Sequence, residues 1–589
     1  MAKNIRVNQS HFALLPQANI KRSVFDRSFV YKTTFDEGKL VPYFVDEVLP
    51  GDTFTLNPVE FCRLATPVVP FMDNLYIESF FFFVPCRLVW ENWVRMCGEQ
   101  ENPEDSTDFI VPTVSLKFSA ASVGTIPDYM GLGCSDFGAS NPSSGNNVVM
   151  NLPFRSYWLI WNEWFRDENL QKSVKVSKGD ANTIVEPMGS GTANPNYGFP
   201  DGVSQWYECA SRGKRHDYFT SCLPWPQKGS VVDLPLGSTA DIVSTGQPFT
   251  LNWSGGQQDI NGGSAHYVWN PSNDVYLTPS FYKTLANQPS TASPSASAVT
   301  DALTSSSGSR VSRSDATYKS NLASFGSVTG LQADLSSATS ITINSLRQAF
   351  MLQRYYEIDA RGGTRYTEKL QAHFGVTNPD ARLQRPEFLG SHSAMMSINP
   401  IAQTSSTNDT SPQGNLAAYG VHGQRYHAFT KSFSEFGYVI GLINVRADLT
   451  YQQGIHRMWT RSDMFDFYWP SFAHLGEQAV LNKEIYAQGT AVDDKVFGYQ
   501  ERYAEYRYKP SLITGQFRST YKETLDVWHL SQKFDSLPTL SDQFIQDHPP
   551  VSRVVAVPTY PHFLLDVKFN LKCIRPMPMF GTPGMMGHF

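Results

Sequence analysis

The chain has 589 residues, 48 Lys and Arg against 54 Asp and Glu, a formal charge of −6 and only 17% charged residues. Its 39 Phe, 27 Tyr and 12 Trp, together with 41 Gly and 37 Pro, exclude a disordered, collagen-like or coiled-coil chain. Such a length suits two to four ordinary domains or one domain with very large insertions, and aromatics interspersed with Gly and Pro favour a mainly β protein. The near-neutral balance argues against neutralising nucleic acid over the whole surface and leaves local contact open. Seven cysteines, Cys62, Cys86, Cys97, Cys134, Cys209, Cys222 and Cys573, never form a C-x-x-C pair, so they read as buried free thiols rather than a zinc site or a disulfide framework. Met1 to Ser10 lacks the apolar core of a secretory signal, and no run approaches the eighteen or so apolar residues of a membrane span. A soluble protein made in the cytosol is expected.

In chain order, Val41–Val48 predicts a strand, Pro50-Gly51-Asp52 a tight turn, and Thr53–Asn57 a second strand. Asn74–Val84 places Leu75, Ile77, Phe81 and Phe83 on one face and Tyr76, Phe80, Phe82 and Val84 on the other, as in a strand covered on both sides. Val89-Trp90, Trp93-Val94 and Cys97 follow at helical spacing. Phe154, Trp158, Trp161 and Phe165 recur at steps of four, three and four behind Pro153, a helix whose aromatic stripe reads as packing. From 227 to 345 the sequence turns Gly-, Ser-, Thr- and Ala-rich without periodicity; an excursion of this length is expected to have a job. Asn344 or Ser345 caps a helix in which Leu346, Ala349, Phe350 and Gln353 share a face. Arg361-Gly-Gly-Thr-Arg365 breaks it before a second helix, Tyr366 to Phe374, stopped by Gly375. Phe436–Val445 reads as a buried strand. Phe563, Leu565, Val567, Phe569, Leu571 and Cys573 alternate with Leu564, Asp566, Lys568, Asn570 and Lys572, the cleanest period-two signal present.

No phosphate-binding loop, nucleophile elbow, H-E-x-x-H or EF-hand pattern occurs, and the sequence predicts no catalytic residue, no metal site and no cofactor. His422 and His427 read as surface histidines rather than zinc ligands. Asp463 with Asp466, and Asp493 with Asp494, fit turns or salt bridges better than a glycosidase acid pair. Arg361 and Arg365 combine with glycine in a way that suits close approach to a phosphate backbone, and equally suits structural ion pairs; Lys21 and Arg22 are comparable nucleic-acid candidates.

Several stretches resemble one family. They are Ser10-His-Phe-Ala13, Arg27-Ser-Phe29, Leu49-Pro-Gly-Asp-Thr53, Phe80-Phe-Phe-Phe-Val-Pro-Cys-Arg-Leu88, Tyr157-Trp-Leu-Ile-Trp-Asn-Glu-Trp164, Leu223-Pro-Trp-Pro-Gln-Lys228, Leu346-Arg-Gln-Ala-Phe350, Asp359-Ala-Arg-Gly-Gly-Thr-Arg-Tyr-Thr-Glu368 and Phe580-Gly-Thr-Pro-Gly584. In order and extent they resemble the major capsid proteins of microviruses, small icosahedral single-stranded DNA bacteriophages, and within them the gokushovirus branch. The resemblance lapses between about 227 and 345.

That resemblance implies an eight-stranded antiparallel viral jelly roll with long loop and helical insertions, and sixty copies in a T=1 shell around circular single-stranded DNA. It divides the chain into 1–226 (N-terminal arm, first strands and helical insertions), 227–345 (a surface protrusion at the threefold axis) and 346–589 (remaining strands and tail). The protrusion suits attachment to a bacterial surface receptor, with Tyr267, Trp269, Tyr276 and Phe281 as its aromatic candidates; Lys21, Arg22, Arg361 and Arg365 are the DNA-contact candidates. A small basic internal DNA-associated protein and pentameric spike or pilot-type minor virion proteins are the implied partners, with assembly in the host bacterial cytoplasm. The competing expectation is a polysaccharide-binding or polysaccharide-hydrolysing β-sandwich. A cytosolic single-stranded DNA-binding protein is disfavoured by the acidic balance.

Overall fold

The computed structural model describes residues 21–116, 122–132, 148–185, 199–230, 232, 241–244, 250–253, 267–268, 276–277, 325–328, 331–334, 343–409 and 411–579. It separates into two compact units, one made of Met1–Gly229 with Tyr355–Phe589 and the other of Ser230–Arg354.

In the first unit the strands begin with β1 (Ser23–Asp26), β2 (Phe29–Phe35), β3 (Val41–Val48), β4 (Thr53–Leu64) and β5 (Leu75–Pro85), followed by the short hairpin β6 (Thr113–Ser115) and β7 (Val148–Met150). In the second unit β8 (Asp241–Ser244) pairs with β13 (Leu331–Asp334). There β9 (Thr250–Trp253), β10 (Tyr267–Val268), β11 (Tyr276–Leu277) and β12 (Phe325–Val328) form a four-stranded sheet in the order β11-β10-β9-β12. The first unit resumes with β14 (Glu387–Met395), β15 (Ser397–Ala402), β16 (Leu416–Arg425), β17 (Phe429–Ser432) and β18 (Gly437–Ala447). A hairpin of β19 (Glu477–Leu481) and β20 (Val496–Glu501) follows, and β21 (Phe563–Arg575) closes the described chain.

Two antiparallel sheets dominate. A seven-stranded sheet runs β1-β21-β4-β16-β15, with β2 also on β21 and β17 also on β4; a four-stranded sheet runs β14-β5-β18-β3. Their inner faces meet through rings. Phe569 of β21 lies 5.1 Å from Phe44 and 5.2 Å from Tyr43 of β3, and Phe81 of β5 lies 5.7 Å from Phe429 of β17. Strict alternation along β21 sets its half of this core, with Phe563, Leu565, Val567, Phe569, Leu571 and Cys573 all buried. The predicted strand, turn and strand at 41–57 is present, yet β3 and β4 do not pair with each other. Gly51, at φ 89°, carries the chain from one sheet to the other, a conformation glycine adopts without Cβ strain.

The four-stranded sheet is covered on its second face as well. Phe82 packs 5.4 Å from Trp164 and 5.8 Å from Phe165, and Trp164 in turn lies 5.5 Å from Phe388 of β14. These rings come from the expected aromatic helix, Leu152–Ile160, which continues as a π-helical turn over Trp161–Phe165; Phe154, Trp158, Trp161 and Phe165 are all buried. The helix expected around Val89 to Cys97 is instead two single turns, Cys86–Val89 and Trp93–Met96. Trp90 breaks them with extended backbone and donates its indole N–H to Asp180, 2.7 Å away. Helices Ile343–Gly362 and Tyr366–Phe374 are both present, the second ending on Gly375 at φ 68° as expected; the first begins at Ile343, so Asn344 and Ser345 lie within it rather than capping it, and it continues through Arg361 to Gly362. Cys97 is exposed, whereas Cys62, Cys86, Cys209, Cys222 and Cys573 are buried free thiols; Cys134 lies outside the described residues.

Candidate functional site

Three kinds of surface and cluster carry chemistry beyond the core. The first is the Arg361-Gly-Gly-Thr-Arg365 junction. Arg361 donates to Glu477, with Nε 2.8 Å from Oε1, and to Gln500 Oε1 at 3.1 Å. Arg365 pairs with Glu168 and Glu368 and donates to the carbonyls of Asn162 (2.6 Å) and Arg166 (3.0 Å). Gly363, at φ 87°, is required because a Cβ there would collide with the Glu368 carboxylate. Gly363 and both guanidinium groups thus serve a partly buried ion-pair junction within the subunit, bidentate at Arg361, while Gly362 lets the chain pass close to Ala372. Lys21 and Arg22 are exposed; Arg22 bonds the Gly51 carbonyl and, at 2.9 Å, Thr53 Oγ1. Of the aromatic receptor candidates, Tyr267 and Tyr276 stand in the paired strands β10 and β11, opposite Leu277 and Val268 respectively, while Trp269 and Phe281 lie outside the described residues.

The second is a buried charge cluster between the four-stranded sheet and the segment around Asp547. Glu78 of β5 accepts from Arg446 of β18 at 2.7 Å and from Arg215 at 3.3 Å. Burial raises the Glu78 pKa, but Arg446, Arg212 and Arg215 together outweigh it and hold the carboxyl below its ordinary value. Asp547 has neither carboxylate oxygen hydrogen-bonded; burial pushes it up to about 7 against the pull of Arg446 and Lys214. Burial likewise pushes Lys214 down to about 8.

The third is apolar surface. Between β18 and β20 the chain exposes Met458, Trp459, Met464, Phe465, Phe467, Tyr468 and Trp469, with Trp459 74% exposed. Hydrogen-bonded turns shape this segment: Asp463 accepts from the backbone N–H of Phe465 at 2.7 Å, and Asp466 accepts from that of Ser462 at 2.8 Å. Asp493 likewise caps Gly489 N–H at 2.7 Å, and Asp494 pairs with Lys483. The four carboxylates that a glycosidase reading would use are therefore committed to turns and an ion pair. Single exposed apolar side chains are ordinary, but a contiguous aromatic and methionine surface marks a protein contact.

His427 is exposed, but His422 is buried, correcting the expectation of two surface histidines. Alternation along β16 turns residue 422 inward and residue 423 outward. A compact triad of Asp36, Glu37 and His562 is the one metal-compatible grouping among the described residues. His562 Nδ1 sits 2.6 Å from Glu37 Oε2, an ion pair that ties the end of β2 to the start of β21. Hydrogen bonding to Glu37 raises the His562 pKa. Sequence reasoning missed the exposed 458–469 surface; its signal was present as a dense run of Trp, Phe, Tyr and Met that fits neither strand nor helix period.

A two-sheet antiparallel sandwich with an exposed aromatic surface is the architecture of a subunit suited to contact with other proteins. The chain belongs to the capsid protein (F protein) family, whose model matches residues 13–585. It is 43% identical to the capsid protein VP1 of Bdellovibrio phage phiMH2K, over 99% of both chains. It is 44% identical to the VP1 of Chlamydia phage 1 over 98% of both, and 33% identical to that of Spiroplasma virus 4 over 99% of this chain and 98% of the other. These relatives are gokushovirus-type microvirus capsid proteins. The chain is accordingly a virion component and a structural protein, not an enzyme, and capsid membership implies self-assembly. Among the described residues no helix is long and apolar enough to cross a membrane.

Proposed function

We propose that this chain builds a T=1 shell of sixty copies around a circular single-stranded DNA genome, using an eight-stranded jelly roll as the shell wall. The strand order supports the jelly roll. Counting β1 with β2 as one interrupted strand, and β16 with β17 as another, the chain visits the two sheets in the sequence β2, β4, β16 and β21 on one and β3, β5, β14 and β18 on the other. With β15 set aside as an added edge strand that forms a hairpin with β16, successive strands cross between sheets except at β5 to β14, where the long insertion leaves and returns to the same sheet.

The observation that carries assembly is the exposed aromatic segment at 458–469, since heterologous contacts of this composition close productively only in a point-group shell. The insertion at 227–345 serves host attachment, with Tyr267, Trp269, Tyr276 and Phe281 offered to a bacterial surface receptor. Removing 285–340 leaves shells and abolishes adsorption; loss of shells overturns that role. The net charge of −6 supports a separate small basic protein sharing the genome's phosphates, and pentameric spike or pilot-type minor proteins complete the virion. Among the named DNA-contact candidates, Lys21 and Arg22 are the accessible pair, whereas Arg361 and Arg365 would reach DNA only by leaving their carboxylates. Electron microscopy of the purified protein tests the whole reading: closed particles of uniform diameter support it, and monodisperse monomers under every ionic condition contradict it.

A further inference from the structure

The four-stranded sheet is covered on both faces along β5 and β18, with its edge strand β14 partly exposed, whereas among the described residues nothing covers the outer face of the seven-stranded sheet. Its register aligns that face in cross-strand rows. One row runs Val421, Arg63, Leu564, Thr34; the next Gly423, Phe61, Asp566, Lys32; the next Arg425, Val59, Lys568, Val30. Further along, Thr430, Thr55, Lys572 and Asp26 align, then Ser432, Thr53, Ile574 and Val24.

Ionisable side chains on these rows are five cations, Lys32, Arg63, Arg425, Lys568 and Lys572, against two carboxylates, Asp26 and Asp566. That excess of three positive charges sits on a chain whose total is −6. Lys32 pairs with Asp566; Asp26 bonds Ser28 and, standing opposite Lys572, is attracted by Lys572 and Lys568 without forming an ion pair with either. Arg63, Arg425, Lys568 and Lys572 are exposed and make no ion pair among the described residues. Two rings lie among them, Phe61 at 45% exposure and Tyr419 at 44%, and the Arg63 guanidinium stands 5.9 Å from the Phe61 centroid. Gly423 lies directly across from Phe61 with no side chain to cover the ring. At about 4.8 Å between strands, the four strands β16, β4, β21 and β2 make a face roughly 14 Å wide.

We propose that this outer face, through Arg63, Arg425, Lys568, Lys572 and the Phe61 ring, is where the subunit holds single-stranded nucleic acid. Cations free of ion pairs track the phosphates while the half-exposed Phe61 ring, flanked by the Arg63 guanidinium, stacks a base, the combination that binds single strands without sequence preference. A second subunit is a poorer occupant, because a partner of net negative charge would still have to desolvate four unpaired cations, whereas a phosphate backbone supplies an anion to each. The inference rests on the single-stranded DNA shell proposed above.

Binding of full-length subunit to oligothymidylate of about 16 nucleotides, titrated across salt concentration, tests it. Combining Arg63→Gln, Arg425→Gln, Lys568→Gln and Lys572→Gln should flatten the plot of log affinity against log salt by about 0.7 for each phosphate that is no longer neutralised. Phe61→Ala should weaken binding about tenfold and leave that slope unchanged. Lys533→Gln, at an exposed lysine off this sheet, should change neither. An unchanged slope and affinity in the fourfold variant overturns the inference. Nucleic acid recovered from assembled particles separates the two claims: nuclease-protected single strand beside an indifferent fourfold variant sinks this surface alone, while particles that enclose no single strand sink the shell reading with it.

Discussion

The two sheets of the sandwich share a core and differ in what covers their backs. In the four-stranded sheet, every residue of β18 is buried, and the back of β5 is roofed by Trp164 and Phe165 from the first insertion. In the seven-stranded sheet, β21 alternates buried with exposed or half-buried along its first twelve residues, and its outward positions carry Lys568 and Lys572. One sheet is finished by its own chain, and the other waits for a partner. An antiparallel sheet commonly leaves one face to water; here that face is basic on an acidic protein, which is what makes the asymmetry functional rather than incidental.

The contrast between the sheets breaks first at their shared core. Phe569→Ala removes a ring that touches Phe29, Tyr43 and Phe44, so it should destabilise the subunit by about 3–5 kcal/mol and abolish particles, measured by thermal melting and sedimentation. An effect confined to assembly, with melting unchanged, would show that the sheets are not held together there.

A smaller effect belongs to the finished sheet. Asp547 titrates near 7 when folded, above its unfolded value of 3.8, so its contribution is fully present below pH 3.8 and is lost as pH rises through 7. Asp547→Asn should therefore gain roughly 2–3 kcal/mol relative to wild type between pH 5 and pH 8. Parallel melting curves for the two proteins across that range would contradict the burial argument. His562 behaves with the same sign: its raised pKa makes the pairing with Glu37 stabilising below its unfolded value and lost as pH climbs through the folded one. Glu37→Gln should reduce the loss of stability as pH rises above 6.5, read from melting temperatures across pH.

Smallest in stability, and largest in contrast, is the exposed surface. Trp459→Ala should move subunit stability by no more than about 0.5 kcal/mol while eliminating particles, read by melting and electron microscopy side by side. Normal particles from this variant would remove Trp459 from the assembly contact.

Much of the sandwich was legible in the sequence because its signals are local. The period-two pattern of 563–573 gave β21 its buried and exposed positions directly, and the two-sided apolar run at 75–84 announced a strand roofed on both faces. What local pattern could not tell was partnership. Nothing in Val41–Asn57 says that the turn at Gly51 changes sheets, because pairing is a long-range choice. The Trp90 break depends on an Asp180 carboxylate ninety residues away. The glycines of Arg361-Gly-Gly-Thr-Arg365 looked like a phosphate-binding feature, yet Gly363 answers to Glu368 and the arginines to Glu477 and Glu168. Conversely, Arg63, Arg425, Lys568 and Lys572 are unremarkable in sequence, scattered over more than five hundred residues, and become one surface only through strand register.

A density map of particles assembled by the full-length chain in cells supplying the genome tests the central claim most directly. The account predicts that the outer face of β4 and β21 lines the interior, with nucleic-acid density against Phe61 and Lys568. A map that turns this face to the outside, or seals it against a neighbouring subunit, would contradict it.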